Sequence, residues 1–562
     1  MQPMRRRRVL WIGGVALVAA VTVGGAFLTG LVPWPAELSD RRDAAGPAPK
    51  FVDDTGASGV DFTYDGPFEY AVGAGVAVFD CNDDGRLDLF LAGGEGPAAL
   101  FRNDSHVGDE LRFVRVESAA TDLRAVNGAY PIDVDSDGVT DLVTLRRGEN
   151  VALRGLGDCR FERANEAWAI DGGTEMTEAF SATWEAGEEL PTLAFGNYLE
   201  PDNFDPDTRC QTNELIRPAS TGGGYGPPIT LAPSYCALSV LFSDWDGSGR
   251  RDLRISNDRA FYRQTAGQEQ LWRIEPGQLP RLYTADDGWA RTQVEGMGIG
   301  SYDLTGDGLP EVYLTSQAAN KLQTLAGGPE RPTFRDIGLE YGVNVAHPFT
   351  GADTHLPSTA WHPEFDDVNN DGRIDLYVSK GNVTEEPDFA IEDPSNLLLG
   401  QPEGPFREVA DIAGIVRFDR GRGAALVDFN IDGRLDLIQS SYGAPVRLWR
   451  NAGPVEGTDE GTANWIALRI RQPTPNIDAI GAQVELRAGG VTWRRELTVG
   501  GGHAGGELGW VHFGLGAETV AEVRVTWPDG EVGPWRPAPL GFAYVDYPGT
   551  VRASNVLPPE AG

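Results

Sequence analysis

The sequence predicts an all-β protein, in which a seven-bladed β-propeller is followed by a small β-sandwich-like domain and preceded by an N-terminal transmembrane helix. An acidic loop motif recurs between residues 80 and 436. Short apolar runs flank its copies, a pattern typical of strands joined by tight turns. The 562 residues also include 72 glycines and 38 prolines, as many short strands require.

The N-terminal segment predicts export from the cytoplasm. Four arginines, residues 5–8, precede an almost uncharged run over residues 9–32. That run is long enough to cross a bilayer as a helix, and the arginines favour a cytoplasmic start. We therefore expect a cytoplasmic basic segment (1–8), a transmembrane signal anchor (9–32) and a linker (33–50). The alternatives are a cleaved signal peptide, which would give a secreted protein, or a twin-arginine signal.

The repeat is defined by the loop motif D-x-[DN]-x-D-G-x-x-D. Full copies begin at residues 80, 133, 367 and 428, and altered copies begin at 244 and 303. The intervals between successive starts are 53, 111, 59, 64 and 61 residues. Because 111 is about two periods, we place a degenerate copy at residues 182–187. Seven repeats, covering residues 51–455, are typical of a propeller.

The apolar runs around the loops predict four strands per repeat. In the first repeat these runs are residues 75–79, 88–91, 99–103 and 113–116. The last repeat lacks the fourth run, whereas a spare copy stands at residues 51–54. We therefore expect the strand near Phe51 to complete the last blade and close the ring.

The loop motif predicts calcium binding. Calcium takes six to eight oxygen ligands, and the motif places oxygens at positions 1, 3, 5 and 9, with a glycine at position 6 for the sharp turn. No His or Cys takes part, which argues against zinc, and the dense oxygen cage disfavours magnesium. We expect about four to six Ca²⁺ ions. The candidate ligands are Asp80, Asn82, Asp84, Asp88, Asp133, Asp135, Asp137, Asp141, Asp244, Asp246, Ser248, Asp252, Asp303, Thr305, Asp307, Glu311, Asp367, Asn369, Asp371, Asp375, Asp428, Asn430, Asp432 and Asp436.

The loops resemble the FG-GAP/VCBS repeats of integrin α-chain propellers. A second series of motifs, at residues 464–470, 478–486, 500–502, 512–516 and 523–530, resembles the ASPIC/UnbV domain. We assign that domain to residues 463–548 and a tail to 549–562. A propeller joined to this domain resembles the cartilage acidic protein family and its bacterial relatives. The resemblance implies an extracellular, calcium-dependent structure and possible adhesion or matrix contacts, with no known reaction.

One stretch departs from the family pattern. Family members usually have a Ser-Gln-type turn after the glycine-rich stretch, whereas this chain has residues 503–507, His-Ala-Gly-Gly-Glu. Residues 465–470 alternate in polarity, which predicts a half-buried strand of a small β-sandwich-like unit.

Charge and cysteine content limit the possible partners and compartment. The formal net charge is −36, which excludes nucleic acid as a favoured partner because phosphate would be repelled. The four cysteines permit two disulfides. Cys210 and Cys236 share one irregular stretch and are the favoured pair, which leaves Cys81 with Cys159 by elimination. Free buried thiols are the alternative.

Two classes of function remain open. The first is a non-catalytic, calcium-stabilised surface module that binds an unidentified protein or glycan and touches the membrane only through its N-terminal helix. The second is an exported enzyme that acts on a polysaccharide or similar substrate at the channel mouth. No catalytic motif is present, so a non-catalytic role is favoured. His347, His355 and His362 cluster in sequence, and His362 lies on the strand expected to border the channel.

Overall fold

A computed structural model describes residues 46–200, 210–220, 222–258, 268–292, 294–348, 353–455 and 463–554. The predicted basic segment and anchor lie outside these ranges. Among the described residues, no helix is long and apolar enough to cross a membrane. The described residues from Pro47 onwards form one compact unit.

The fold is all-β, as predicted. Seven antiparallel sheets follow one another along the chain, and the first strand of each sheet contacts the first strand of the next. The seventh sheet returns to the first in the same way, so the seven sheets form a closed ring. We number the sheets in chain order.

Each sheet has four main strands, which run in order from the inside of the ring outwards. The first three sheets comprise Val76–Phe79, Asp88–Leu91, Ala99–Asn103 and Phe113–Val116; Arg124–Ile132, Asp141–Arg146, Val151–Gly155 and Phe161–Arg163, with Gly94–Pro97 added beside the inner strand; and Thr177–Thr183, Thr192–Asn197, Asn213–Ile216 and Ile229–Leu231.

The remaining sheets follow the same plan. They comprise Ala237–Ser243, Asp252–Asn257, Gln270–Arg273 and Arg281–Leu282; Gly296–Tyr302, Glu311–Ser316, Lys321–Leu325 and Phe334–Asp336; Ala360–Asp366, Asp375–Lys380, Asn396–Leu399 and Arg407–Glu408; and Arg420–Val427, Asp436–Tyr442, Ala444–Pro454 and Pro49–Asp53.

Helices are few and short among the residues that the structure describes. There the α-helices are Asn165–Trp168, Gly338–Tyr341 and Ala410–Ala413, and the 3-10 helices are Phe68–Tyr70 and Ala285–Asp287. The three α-helices each follow the outermost strand of a sheet and end in a left-handed residue, so each forms a single compact turn between sheets.

The N-terminal strand closes the ring, as the sequence predicts. Pro49–Asp53 pairs antiparallel with Ala444–Pro454, with Phe51 opposite Asn451. The Phe51 side chain is 5% exposed and joins the apolar core between the sixth and seventh sheets. Arg450 also donates to the Asp54 carboxylate at 2.9 Å. The ring is thus held shut by hydrogen bonds and apolar packing between the two ends of the repeat region.

Both predicted disulfides are present. Cys81 is bonded to Cys159 and Cys210 to Cys236, which confirms both pairings and rejects the alternative of free thiols. The first bond connects the acidic loop of the first sheet to the second sheet. Such bonds are typical of proteins that fold outside the reducing cytoplasm.

The C-terminal domain has two four-stranded sheets around one apolar core, in agreement with the predicted sandwich-like unit. In spatial order the strands are Val511–Gly516, Asn464–Arg471, Gly541–Asp546 and Thr550–Ala553 in one sheet, and Val491–Glu496, Gln483–Ala488, Ala521–Thr526 and Arg536–Ala538 in the other.

The prediction of a half-buried strand at residues 465–470 is wrong in one respect. Ile466 and Leu468 face the domain core, as expected. The opposite face, with Ala467 and Arg469, is also buried, because it lies against the propeller-like ring. The alternating pattern could not predict this second burial, because it depends on how the domain packs on the ring.

Candidate metal centre

Six loops with the same backbone shape join the first and second strands of their sheets. We number them by sheet: loop 1 (80–88), loop 2 (133–141), loop 4 (244–252), loop 5 (303–311), loop 6 (367–375) and loop 7 (428–436). In every loop the fourth and sixth residues have positive φ angles, 55° to 74° and 81° to 92° respectively. The sixth residue is always glycine, which takes this left-handed conformation without strain.

The first aspartate organises each loop. One of its oxygens accepts the N–H of the position-6 glycine in all six loops, at 2.7 to 3.0 Å. In five loops its other oxygen accepts the N–H of the fifth residue, at 2.9 to 3.2 Å. The loop therefore turns around this carboxylate, with the side chains of positions 3 and 5 on the same short turn.

The ninth residue anchors the loop to the sheet. In loops 1, 2, 6 and 7 it is an aspartate whose oxygens accept the N–H of the second loop residue, at 2.7 to 3.1 Å. They also accept an N–H near the end of the third strand, at 2.7 to 2.9 Å. Because an ionised carboxylate has about four acceptor sites, two remain for a metal ion. In loop 5, Glu311 accepts the N–H groups of Leu304 and Thr305 at 2.9 Å.

Burial disfavours the ionised form of these carboxylates. It raises the pKa of Asp88 and Asp141 to about 8 and that of Asp133 to about 7, and nearby carboxylates of the same loop add to the effect. In loop 6, burial and the neighbouring carboxylates raise the pKa of Asp367 and Asp375 well above the usual range. A bound cation would reverse this effect by favouring the charged form.

The donor set fits calcium. In loop 2, Asp133, Asp135 and Asp141 bring carboxylate oxygens within 4.8 Å of one another. All donors at positions 1, 3, 5 and 9 carry oxygen, which calcium prefers and copper or zinc does not. A calcium ion there would supply the positive charge that keeps these buried acids ionised. Calcium binding itself stays a prediction.

Loop 4 differs from the others because its own position-7 arginine reaches the position-9 carboxylate. In loop 2, by contrast, Arg154 of the third strand contacts Asp135 and Asp137, at positions 3 and 5, at 3.0 and 2.8 Å. Arg250, at position 7, donates to Asp252 at 2.9 Å and to Asp246 at 3.2 Å. In loops 6 and 7 the position-7 arginines, Arg373 and Arg434, each bind only the position-5 aspartate of their loop among the loop carboxylates.

The C-terminal domain lies directly on the loops, which the sequence did not reveal. Trp510 donates its indole N–H to the carbonyl of Gly85 in loop 1, at 3.1 Å, and Trp493 donates to Gly372 in loop 6, at 2.9 Å. The ring of Trp465 lies so close to Gly433 in loop 7 that a Cβ there would overlap it.

Charged and polar contacts extend this interface to the other loops. Arg494 donates to Asp303 in loop 5 at 3.0 Å, and Arg469 lies 3.6 Å from Asp80 in loop 1. Backbone groups take part as well: the N–H of Asn476 binds Ser136 in loop 2 at 3.0 Å. The loop face of the ring is therefore the docking surface of the C-terminal domain.

A glycine-rich segment of the C-terminal domain, residues 499–507, enters the centre of the ring. We call it the plug. It bonds to the inner strands of several sheets, for example through Gly501 to Val240 at 2.8 Å and Gly502 to Ile299 at 2.8 Å. Its last residue begins a short strand, Glu507–Leu508, parallel to Val76–Phe79. Glycines allow the plug backbone to approach the inner strands closely.

The departure from the family pattern, residues 503–507, lies within this plug. His503 is fully buried, and its Nε2 lies 2.7 Å from the carbonyl oxygen of Val72. Its ring packs on Trp361 with centroids 5.0 Å apart. Burial, with a contribution from nearby Arg422, lowers the pKa of His503 to about 3, so it is neutral at physiological pH.

The three histidines that cluster in sequence have different surroundings in the structure. His362 lies on an innermost strand, as predicted, but it is 6% exposed and its Nδ1 accepts the N–H of His503 at 3.0 Å. The plug thus covers it. His347 and His355 are exposed. Within the described ranges, none of the three belongs to a group of side chains close enough to hold a metal ion.

Comparisons with known proteins agree with this architecture. The family model described as an FG-GAP-like repeat matches residues 80–177, and the one described as ASPIC and UnbV matches residues 472–543. Among solved structures, a lectin from Agrocybe aegerita that recognises terminal N-acetylglucosamine aligns with 60% of this chain and 79% of its own, at 14% identity and a TM-score of 0.37. That likeness is too distant to support an inference.

Two relatives extend over most of the chain. Human cartilage acidic protein 1 is 33% identical over 507 residues, which cover 82% of this chain and 69% of the relative. Cartilage acidic protein 1 of Xenopus tropicalis is 23% identical over 493 residues, covering 82% of this chain and 70% of the relative. With its acidic loops, its C-terminal domain and this extent of identity, the chain belongs to the cartilage acidic protein family.

Proposed function

We propose that this protein is an extracytoplasmic, calcium-stabilised, seven-bladed propeller that acts as a non-catalytic binding module for protein or glycan. Each of the seven sheets would be one blade. The N-terminal run, residues 9–32, would anchor the module to the membrane, or be removed to release it.

The observation that carries the proposal is the shared geometry of the loops. The same left-handed glycine and the same hydrogen bonds to the first aspartate recur in six separate places. The carboxylates of an ordinary acidic turn stay exposed to solvent, because burial of unpaired charge is costly, whereas several of these carboxylates are buried. A cation that binds the folded form and not the unfolded chain would stabilise the protein by mass action.

A cleft beside loops 4 and 5 supports a binding role. It has a volume of about 1200 Å³ and lies between these loops and the C-terminal domain. Its lining includes Glu188, Arg251, Asp529 and Tyr547. The cleft is next to the third sheet, where the acidic motif is degenerate. The walls combine apolar groups with charged groups of both signs, which suits a protein segment or a glycan.

Calcium dependence is tested by thermal unfolding of the protein with calcium, with magnesium, and with excess chelator. We expect chelation to lower the melting temperature by many degrees, with recovery in calcium and little recovery in magnesium. An unchanged melting temperature would mean that the loops need no metal, and the calcium part of the proposal would be withdrawn.

The binding role is tested on protein and glycan arrays in the presence of calcium. For any ligand that binds, Glu188→Arg reverses a charge in the exposed wall of the cleft, whereas Glu162→Arg changes an exposed residue of the second sheet outside it. We expect only the first variant to weaken binding. Equal effects of the two variants would place the binding surface elsewhere.

A further inference from the structure

Loop 4 carries a built-in cation among its acidic side chains. The Arg250 guanidinium donates from Nε to Asp252 at 2.9 Å and from Nη2 to Asp246 at 3.2 Å, and it also contacts the Tyr283 hydroxyl at 3.3 Å. It therefore bridges positions 3 and 9, which are two of the four positions that would bind an ion in the other loops.

The carboxylate of Asp252 has no acceptor site left for a metal. It accepts five hydrogen bonds: one from the Trp245 indole at 2.9 Å, one from the Tyr283 hydroxyl at 2.8 Å, one from the Ile274 N–H at 3.0 Å, and two from Arg250 at 2.9 and 3.2 Å. An ionised carboxylate offers about four lone-pair positions. Asp252 is therefore saturated, and it is fully buried.

The equivalent carboxylate in loop 7 provides the contrast. Asp436 is also fully buried, yet its hydrogen bonds come from two backbone N–H groups, those of Phe429 and Asn451. Its loop arginine, Arg434, binds the position-5 carboxylate of Asp432 instead. In loop 4, side-chain donors thus occupy acceptor sites of the position-9 carboxylate that stay open in loop 7.

The sequence changes in loop 4 fit this difference. Position 5 is Ser248, which has no charge to attract the arginine. In loops 6 and 7 the aspartates at this position, Asp371 and Asp432, bind the loop arginine. Position 2 is Trp245, whose indole supplies a donor that the cysteine, valine or phenylalanine at this position in loops 1, 2, 6 and 7 cannot supply.

We propose that loop 4 is a metal-free member of the series, in which the Arg250 guanidinium takes the place of the calcium ion. The inference rests on the proposed calcium function of the other loops. It reduces the expected number of ions from six to at most five, in loops 1, 2, 5, 6 and 7. It also means that loop 4 keeps its shape when calcium is removed.

The first test measures calcium bound per chain in two matched variants, Asp252→Asn and Asp436→Asn, which change the same position in loops 4 and 7. We expect Asp436→Asn to lose one ion and Asp252→Asn to keep the number bound by the unchanged protein. Loss of an ion in Asp252→Asn would overturn the inference. If Asp436→Asn does not fold, Asp432→Asn replaces it, because that side chain lies nearer the surface.

The second test does not depend on calcium binding. Hydrogen exchange of the loop 4 amides, including Gly249, is compared in chelator between the unchanged protein and Arg250→Gln. We expect exchange at least tenfold faster in the variant, since the bridge is lost, and unchanged exchange would overturn the inference. A protein that binds no calcium at all would refute the proposed function, while this second result would still decide the role of Arg250.

Discussion

The effect of Asp141→Asn on the stability of the protein should change sign with calcium and with pH, which provides a test of the proposed metal sites. Asp141 is fully buried at position 9 of loop 2, and burial raises its pKa to about 8. Its folded pKa is therefore higher than its unfolded value of about 3.9. A group of this kind stabilises the fold below about pH 4, and this stabilisation is lost as the pH rises to about 8. Without calcium, the protein should become less stable across this range.

The magnitudes decide the effect of Asp141→Asn. A shift of about four pKa units corresponds to roughly 5 kcal/mol of lost stability at pH 8, which asparagine avoids because it does not ionise. Asparagine can keep only one of the two backbone hydrogen bonds, from Val134 and Gly155, and the loss costs about 1–3 kcal/mol. In chelator at pH 8 the variant should therefore be more stable than the unchanged protein by about 2–4 kcal/mol.

In calcium the sign should reverse, because the variant loses a charged ligand. The assay is urea unfolding at pH 4 and pH 8, each in calcium and in chelator. Asp158→Asn is the control, since that side chain is 87% exposed and should change little under any condition. The reasoning would be refuted if Asp141→Asn destabilised the protein equally at pH 8 with and without calcium, as expected of a carboxylate that only accepts hydrogen bonds.

Three further substitutions test the ring, the plug and the domain interface by urea unfolding. Phe51→Ala should lower the free energy of unfolding by about 3–5 kcal/mol, because it removes the buried side chain of the closing strand. Its control is Ile412→Ala at a nearby exposed residue, which should lower it by under about 0.5 kcal/mol. Similar losses in the two variants would argue against closure by this strand. Gly505→Ala would place a Cβ against the carbonyl of Val76 and should lower the free energy of unfolding by about 1–3 kcal/mol. In the control Gly327→Ala the new Cβ meets no atom within 4 Å, so stability should change by at most about 1 kcal/mol. Equal effects would show that the plug is loosely held. Trp493→Phe removes the indole donor to Gly372 and should cost about 1–3 kcal/mol, and no loss would mean that this bond contributes nothing to docking.

The parts of the fold that sequence could predict are those set by local chemistry. The position-6 glycine and the flanking apolar runs identify loops and strands because each depends on a few neighbouring residues. Counting strands per repeat then showed that the last repeat lacks its fourth strand, and the strand that contains Phe51 provides it. The cysteine pairs followed from their number and their placement.

The parts that sequence could not predict depend on contacts between distant residues. Nothing in residues 500–506 shows that they enter the centre of a ring, because that position is set by inner strands hundreds of residues away. Likewise the bridge made by Arg250 was missed, since an arginine at position 7 also occurs in loops 1, 6 and 7. A signal was nevertheless present: loop 4 has Ser248 at position 5, where Asp371 and Asp432 bind the arginine in loops 6 and 7.

The position of the C-terminal domain links it to the metal loops. Trp510 and Trp493 bind the carbonyl groups of the position-6 glycines in loops 1 and 6, and Trp465 packs on the same residue of loop 7. These are the residues whose left-handed conformation the proposed calcium sites require. An ion that orders a loop also orders the surface on which the C-terminal domain packs. Calcium binding and domain docking should therefore strengthen one another by the same free energy. This coupling gives the two domains a reason to occur in one chain, because the C-terminal domain fills the centre of the ring with its plug and rests on the loops that calcium would order.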